Sequence, residues 1–139
     1  RAFFLFMGKD IVKNRISKKL RENIDIFPTI LDFIDSKIEF NCSGESFNDY
    51  LKNINKDLDD KPYVYSETGA LQGPFPSPEK PNVFCIKSKK HKLIYLKTSE
   101  KWELYNLEDD PKEQKNIFDT GIYEEHELKS KLLTWIERD

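Results

Sequence analysis

Three short apolar-alternating runs follow one another with only polar turns between them: Asn82 to Lys87, Lys92 to Lys97 and Trp102 to Leu107. The linkers, Ser88 to His91 and Thr98 to Lys101, have room for a tight reversal and nothing more. The runs therefore predict an antiparallel meander. A sheet of that kind needs a cover for one face, and the chain supplies one. Tyr123 to Glu137 sets Leu128, Leu132, Trp135 and Ile136 on one helical stripe, with Thr120 as candidate cap. Glu108-Asp109-Asp110-Pro111 separates sheet from helix as a strong turn. Upstream, Pro62 to Glu67 predicts a further strand, with Tyr63 and Tyr65 on one face and Val64 on the other. Gly69 to Pro81, with four prolines and two glycines, predicts a long loop without regular structure.

The N-terminal part follows another pattern. Ala2 to Met7 is continuously apolar and ends at Gly8, as expected of a strand buried on both faces. The chain opens on Arg1 and runs straight into this segment, which reads as a start inside a longer protein. Ile16 to Glu22 alternates loosely and suggests a second strand. Asp25 to Ile34 predicts a helix. With Asp25 as N-cap, Pro28 falls at the third helical position, where a missing N–H breaks no intrahelical bond; with Asn23 as cap it would fall too deep. Ile26, Ile30, Phe33 and Ile34 then share a face expected to meet a core. Ser46 to Leu51 predicts a short helix capped by Ser46, and Asn53 to Lys61 a polar surface connection.

Composition narrows the function classes. The 139 residues, with ten Phe, six Tyr and two Trp, suffice for a compact aromatic core despite 35% charged residues. The formal net charge of −2 draws the chain neither to nucleic acid nor to an anionic membrane. No apolar run approaches the length of a membrane span. Two cysteines, Cys42 and Cys85, do not make a disulfide framework and read as free thiols. Asn41-Cys42-Ser43 fits a glycosylation sequon, a triplet common by chance.

Two segments carry a family resemblance. Asn23-Ile24-Asp25-Ile26-Phe27-Pro28-Thr29-Ile30-Leu31-Asp32 resembles the D-x-x-P-T-(I/L)-L helix start of the sulfatase family in the alkaline phosphatase superfamily. Lys92-Leu93-Ile94-Tyr95, then Glu103-Leu104-Tyr105-Asn106-Leu107-Glu108-Asp109-Asp110-Pro111-Lys112-Glu113, then Asn116-Ile117, is similar to that family's ending, K-L-I … E-L-Y-D-L-x-x-D-P-x-E-x-x-N-L, with Asn106 where Asp is commoner. The segments occur in the family's order, and the closing helix with Leu132 and Trp135 also looks like the family's last helix. The resemblance implies an α/β class: the last strand and helix of an alkaline-phosphatase-like sheet, followed by a small antiparallel β-sheet closed by a C-terminal helix. In that scheme residues 1–52 end the main domain, 53–81 connect, and 82–139 form the C-terminal subdomain.

Sulfatases that this chain resembles use a Cys or Ser in a (C/S)-x-P-x-R motif, oxidised to formylglycine, and a divalent cation (Ca or Mg) that stabilises the attacking and bridging oxygens. Neither Cys42-Ser43-Gly44-Glu45 nor Cys85-Ile86-Lys87-Ser88 matches, and Ser77-Pro78-Glu79-Lys80 has its Pro misplaced. No catalytic residue, metal ligand or cofactor is therefore assigned to this chain. The resemblance implies that they lie in an N-terminal catalytic portion of the same protein, acting on a small-molecule or glycan sulfate ester. A strand such as Ala2 to Met7, cut off from its neighbours, would make the isolated chain prone to aggregation.

Several residues invite a functional reading. Glu67, Gln72 and Phe75 lie at the strand end and loop that, in proteins resembling this one, approach the active-site mouth, and they are the candidates for shaping a substrate pocket. A surface loop with structural prolines is the plainer reading. His91, within the basic stretch Lys87 to Lys92, suggests an anion contact but reads more simply as part of a solvated hairpin turn. His126 beside Glu124, Glu125 and Glu127 suggests a metal site but fits a surface face. Asp25 and Asp32 suggest paired carboxylates for acid–base work, but they bracket one helix, and Asp25 reads as its cap. The competing function is a non-catalytic binding or assembly domain with a sulfatase-like fold, and nucleic-acid binding through the Lys87 to Lys92 turn is the weakest third.

Overall fold

The computed structural model describes residues 3–38, 41–69 and 79–138. The elements in chain order are α1 (Ile26–Phe33), α2 (Asn48–Lys52), β1 (Val64–Thr68), β2 (Val83–Lys87), β3 (His91–Leu96), β4 (Lys101–Asn106) and α3 (Tyr123–Ile136). They fall into two compact units that divide between Lys61 and Pro62.

The C-terminal unit is the expected meander with one strand added. All four strands are antiparallel in the order β1-β2-β3-β4. The register sets Tyr65 opposite Ile86, Ile86 opposite Leu93, and Leu93 opposite Leu104. One face thus carries a continuous apolar row, and α3 closes it with Leu128 and Leu132. Ile86, Leu93, Leu104 and Leu132 are fully buried. Around them Tyr65 stacks on Trp135 at 5.2 Å, and Tyr95 on Trp102 at 4.2 Å. The α3 stripe is as the heptad-like spacing predicts.

The outer edge of β4 is capped by a side chain. Asn116 Oδ1 accepts from the Leu104 N–H (2.9 Å), Asn116 Nδ2 donates to the Trp102 carbonyl (3.2 Å), and the Ile117 N–H donates to the Leu104 carbonyl (2.8 Å). An edge strand treated this way offers no free ladder to another chain there. Asp110 holds the preceding turn, its carboxylate accepting from the N–H groups of Gln114 and Lys115 at 2.7 and 2.8 Å. Thr120 does not cap α3. The helix starts three residues later, after Gly121 at φ +79°, and the Thr120 hydroxyl donates back to the Ile117 carbonyl.

The N-terminal unit has a small core of Phe47, Leu51 and Leu58, flanked by Phe6, Phe33 and Tyr50. It departs from expectation in four places. Residues 3–7 form no strand, because no described strand lies beside them to complete a ladder. Residues 16–22 form none either. That stretch is held by side chains rather than by backbone pairing: Arg15 donates to the carbonyls of Tyr50, Asn53 and Lys56, Lys19 to Asp57 and Leu58, and Arg21 to the Asp59 carbonyl. In α1 the predicted apolar stripe is not the buried one. Pro28 and Thr29 are buried, whereas Ile30 and Ile34 are exposed. α2 starts slightly late, with Phe47 as cap, although the Ser46 hydroxyl still accepts from the Asn48 N–H.

Candidate functional site

The candidate pocket residues divide. Glu67 is the fourth residue of β1, exposed, and paired opposite Phe84. Gln72 and Phe75 lie outside the described residues. What the structure defines is the mount for the segment that carries them. β1 ends where Thr68 pairs with Val83, and the Asn82 N–H donates to the Thr68 carbonyl at 3.2 Å. The Asn82 carbonyl accepts from the Lys97 N–H at 2.8 Å, and its side-chain amide donates to the Thr98 hydroxyl at 3.2 Å. Asn82 is itself buried. Thr68 and Asn82, which flank the segment between them, are thereby fixed to the sheet. Asn82 was not singled out by the sequence, because its role rests on a contact 16 residues away.

Asp25 occupies the N-cap position of α1, as expected, but its carboxylate does not cap that helix. It turns inward and is fully buried. Oδ2 accepts from the Glu22 N–H (3.0 Å), and Oδ1 accepts from the Glu45 N–H (2.9 Å) and from Lys61 Nζ (2.9 Å). Lys61 also meets Glu22 Oε2 at 3.0 Å. Burial pushes the Asp25 carboxyl toward neutrality, but the Glu45 and Glu22 amides and the Lys61 ammonium outweigh it and hold the group below its ordinary range. Burial likewise works against the Lys61 charge, and the hydrogen bonds to Asp25 and Glu22 overcome it and raise that group. Thr29 continues the knot, donating to the Asp25 carbonyl at 2.6 Å and accepting from the Phe47 N–H at 3.1 Å. Gly44 passes so close that a Cβ there would lie 2.0 Å from the Ile24 carbonyl oxygen. A buried carboxylate held by two backbone N–H groups and an ammonium is a structural anchor, and its lowered pKa suits it poorly to taking up a proton near neutral pH. Asp32 is exposed and takes no part in the knot.

His91 is not in a solvated turn. It opens β3 opposite Asn106 and is buried, because the reversal is only Lys89–Lys90, closed by the Ser88 N–H on the His91 carbonyl at 2.9 Å. Burial lowers the imidazole pKa; Glu124 and Glu108 pull it up, and Lys90 adds to the lowering. His126 is exposed on α3. Among the described residues no group of three or more His, Cys, Asp or Glu side chains is placed to hold a metal ion. Cys42 and Cys85 are free thiols; burial raises the pKa of Cys85. No helix among the described residues is long and apolar enough to cross a membrane.

Known proteins share this arrangement. A sulfatase homologue from Bacteroides thetaiotaomicron superimposes with a TM-score of 0.77 at 24% identity, over 97% of this chain and 29% of that one. The fold is thus that of the C-terminal part of sulfatase-type proteins. The family model for N-sulphoglucosamine sulphohydrolase, C-terminal, matches residues 3–138, and the chain belongs to that family. Two curated relatives are an N-acetylglucosamine-6-O-sulfatase of Bacteroides thetaiotaomicron, 28% identical over 83% of this chain, and an arylsulfatase of Clostridium perfringens, 27% identical over 88%. The chain spans 20% and 24% of their respective lengths.

Proposed function

We propose that this chain is the C-terminal part of a hydrolase that cleaves sulfate esters, with sulfated amino-sugar glycans as the substrate class, and that the chain alone has no turnover. The observation that carries the reading is the family match along residues 3–138. The contacts of the motif residues support the division of labour. Asp25, Asp110 and Asn116 spend their side chains on backbone groups and, for Asp25, on Lys61, which is the work of a scaffold and supports a reading in which the chemistry lies in another part of the protein. In this reading the catalytic part supplies a formylglycine and a divalent cation, Ca or Mg, as the family's chemistry requires. The amino-sugar preference rests on the names of the family and of one relative; the other relative's name favours an aryl sulfate.

Glu67, Gln72 and Phe75 are proposed to shape the substrate pocket of that protein. Glu67 is exposed one residue before the point where Thr68 and Asn82 fix the base of the segment. The test is turnover of a sulfated glucosamine and of an aryl sulfate by the full-length protein, by its Glu67→Ala, Gln72→Ala and Phe75→Ala variants, and by this chain. The full-length protein is expected to prefer the sugar, the variants to raise KM, and the chain to be inactive. An unchanged KM in all three variants sinks the pocket assignment. A full-length protein that turns over neither ester leaves the binding or assembly domain as the better reading.

A further inference from the structure

Among the described residues, three buried side-chain polar atoms have no hydrogen-bond partner: Nε and Nη1 of Arg21 and Oδ1 of Asn48. Both residues wall the same cavity, of about 350 Å³, in the N-terminal unit. Buried polar groups are otherwise paired as a rule, so orphans gathered around one cavity call for a ligand that pairs them. The remaining groups of both side chains are engaged. Arg21 Nη2 donates to the Asp59 carbonyl at 2.6 Å, and Asn48 Nδ2 donates to the Asp32 carbonyl at 3.4 Å. That carbonyl can only accept, so it sets the orientation of the amide and leaves Oδ1 as an acceptor in want of a donor. Part of the wall is held in place by other bonds. Arg15 donates to the carbonyls of Tyr50 and Lys56, and Lys19 to that of Leu58.

We propose that this cavity binds an uncharged sugar residue, whose hydroxyl groups accept from Arg21 and donate to Asn48. The lining selects that chemistry. Asp32, Asp49, Asp57 and Asp59 stand around the cavity with Arg21 and Lys56, four carboxylates against two cations. A sulfate, phosphate or carboxylate would meet the excess of negative charge, and a cation would meet the Arg21 guanidinium. A hydroxyl serves both needs, because it donates one proton and accepts through two lone pairs. Arg21 lacks acceptors, Asn48 lacks a donor, and a sugar ring carries several hydroxyls at once. Phe47 and Leu58, from the buried core of the unit, add an apolar piece of lining for the C–H face of the ring. The volume lies at the low end of the range for small-molecule sites, about 300–1,000 Å³. The inference concerns binding and does not rest on the hydrolase reading.

The experiment follows hydrogen exchange of the full-length protein with millimolar unsulfated N-acetylglucosamine disaccharide, with maltose, and with inorganic sulfate. One or both sugars are expected to slow exchange in peptides covering residues 45–59, by about tenfold once the sugar reaches ten times its Kd. Arg21→Lys keeps the charge but loses the planar donors, and Asn48→Ala loses the acceptor; each is expected to weaken the footprint at least about tenfold in sugar concentration. Exchange in residues 22–29 without sugar checks that the variants fold, and if neither does, the footprint on the unsubstituted protein decides. Exchange over 45–59 that neither sugar changes overturns the inference, including the case where another segment of the protein fills the cavity. A footprint from sulfate in place of the sugars overturns it as well. So does a sugar footprint that both variants keep, since it places the sugar elsewhere. Turnover by the same preparation separates this inference from the proposed function. An active sulfatase without the footprint refutes only the sugar site, whereas a footprint in a protein inert toward sulfate esters refutes only the hydrolase.

Discussion

Replacing Asp25 by alanine removes three hydrogen bonds at one stroke and strands their donors. The Glu22 and Glu45 N–H groups lose acceptors at 3.0 and 2.9 Å, and Lys61 loses one of its two close carboxylates. Hydrogen bonds to a charged group contribute about 1.5–3 kcal/mol each. The terms overlap, because Lys61 retains Glu22 and the loosened loop admits water, so a simple sum overshoots. Breaking a buried ion pair on one side costs about 3–5 kcal/mol, and that range is the expected loss. Hydrogen exchange read on peptides covering residues 44–51 reports it directly, since Phe47 and Leu51 form the core that the knot braces. Exchange should accelerate by at least about a hundredfold, at 1.4 kcal/mol per factor of ten. Asp25→Asn keeps the size and one acceptor but loses the charge, and should fall between wild type and alanine. Asp32→Ala, at an exposed position on the same helix, should change exchange little. An Asp25→Ala variant within about 0.5 kcal/mol of wild type, the scale of an ordinary surface change, would refute the account of the knot as the anchor of this unit.

Three further outcomes follow from the same contacts. The Asp25 pKa is lowered from 3.8 and that of Lys61 raised from 10.5; the first contribution is therefore lost as pH falls below 3.8 and the second as pH rises beyond 10.5, so the protection of residues 44–51, taken as exchange relative to the intrinsic rate at each pH, should be greatest between those limits, and Asp25→Asn should remove the acid limb. His91 is held below 6.5 by burial, so the unfolded chain takes up a proton that the folded one refuses; urea midpoints of the C-terminal unit, read by Trp fluorescence, should drop below pH 6.5, and a His91→Gln variant that keeps the same drop would exclude His91 as the cause. Asn116→Ala leaves the Leu104 N–H without its acceptor and should cost about 1–3 kcal/mol in the same urea assay, with Lys115→Ala as the exposed control.

The C-terminal unit was legible because its information is local. Alternation, two short turns and a helical stripe determine a meander and its cover, and the register needed no distant partner. Asp25 marks the opposite case. Its sequence position gives an N-cap, yet its partners are Glu45 and Lys61, 20 and 36 residues away, and nothing in the local pattern announces them. The basic residues of 15–21 behave alike: alternation suggested a strand, while Arg15, Lys19 and Arg21 instead reach carbonyls 35 or more residues on. Apolar runs are half-legible. Those at 2–7 and along α1 declare that a surface is to be covered, but not by what, and in this chain Leu5, Ile30 and Ile34 stand exposed. Of the candidate site, Glu67 was placed on its strand correctly, while the clamp at Asn82 depends on Thr98 across a turn and was invisible.

That clamp makes the sheet indifferent to the length of what it carries. Thr68 and Val83 are ladder neighbours, and Asn82 ties the return to Lys97 and Thr98. Between two anchors held in this way, a flexible insertion that doubled the connection would cost only about 0.6 kcal/mol in closure entropy. The register of β1 on β2 is set by Val64–Thr68 against Val83–Lys87 and by the bonds of Asn82, so a change between Thr68 and Asn82 is expected to leave it in place. The sheet is in effect a socket, and the segment between Thr68 and Asn82 a cartridge: the place where variation among such proteins, or a designed graft, costs the fold least.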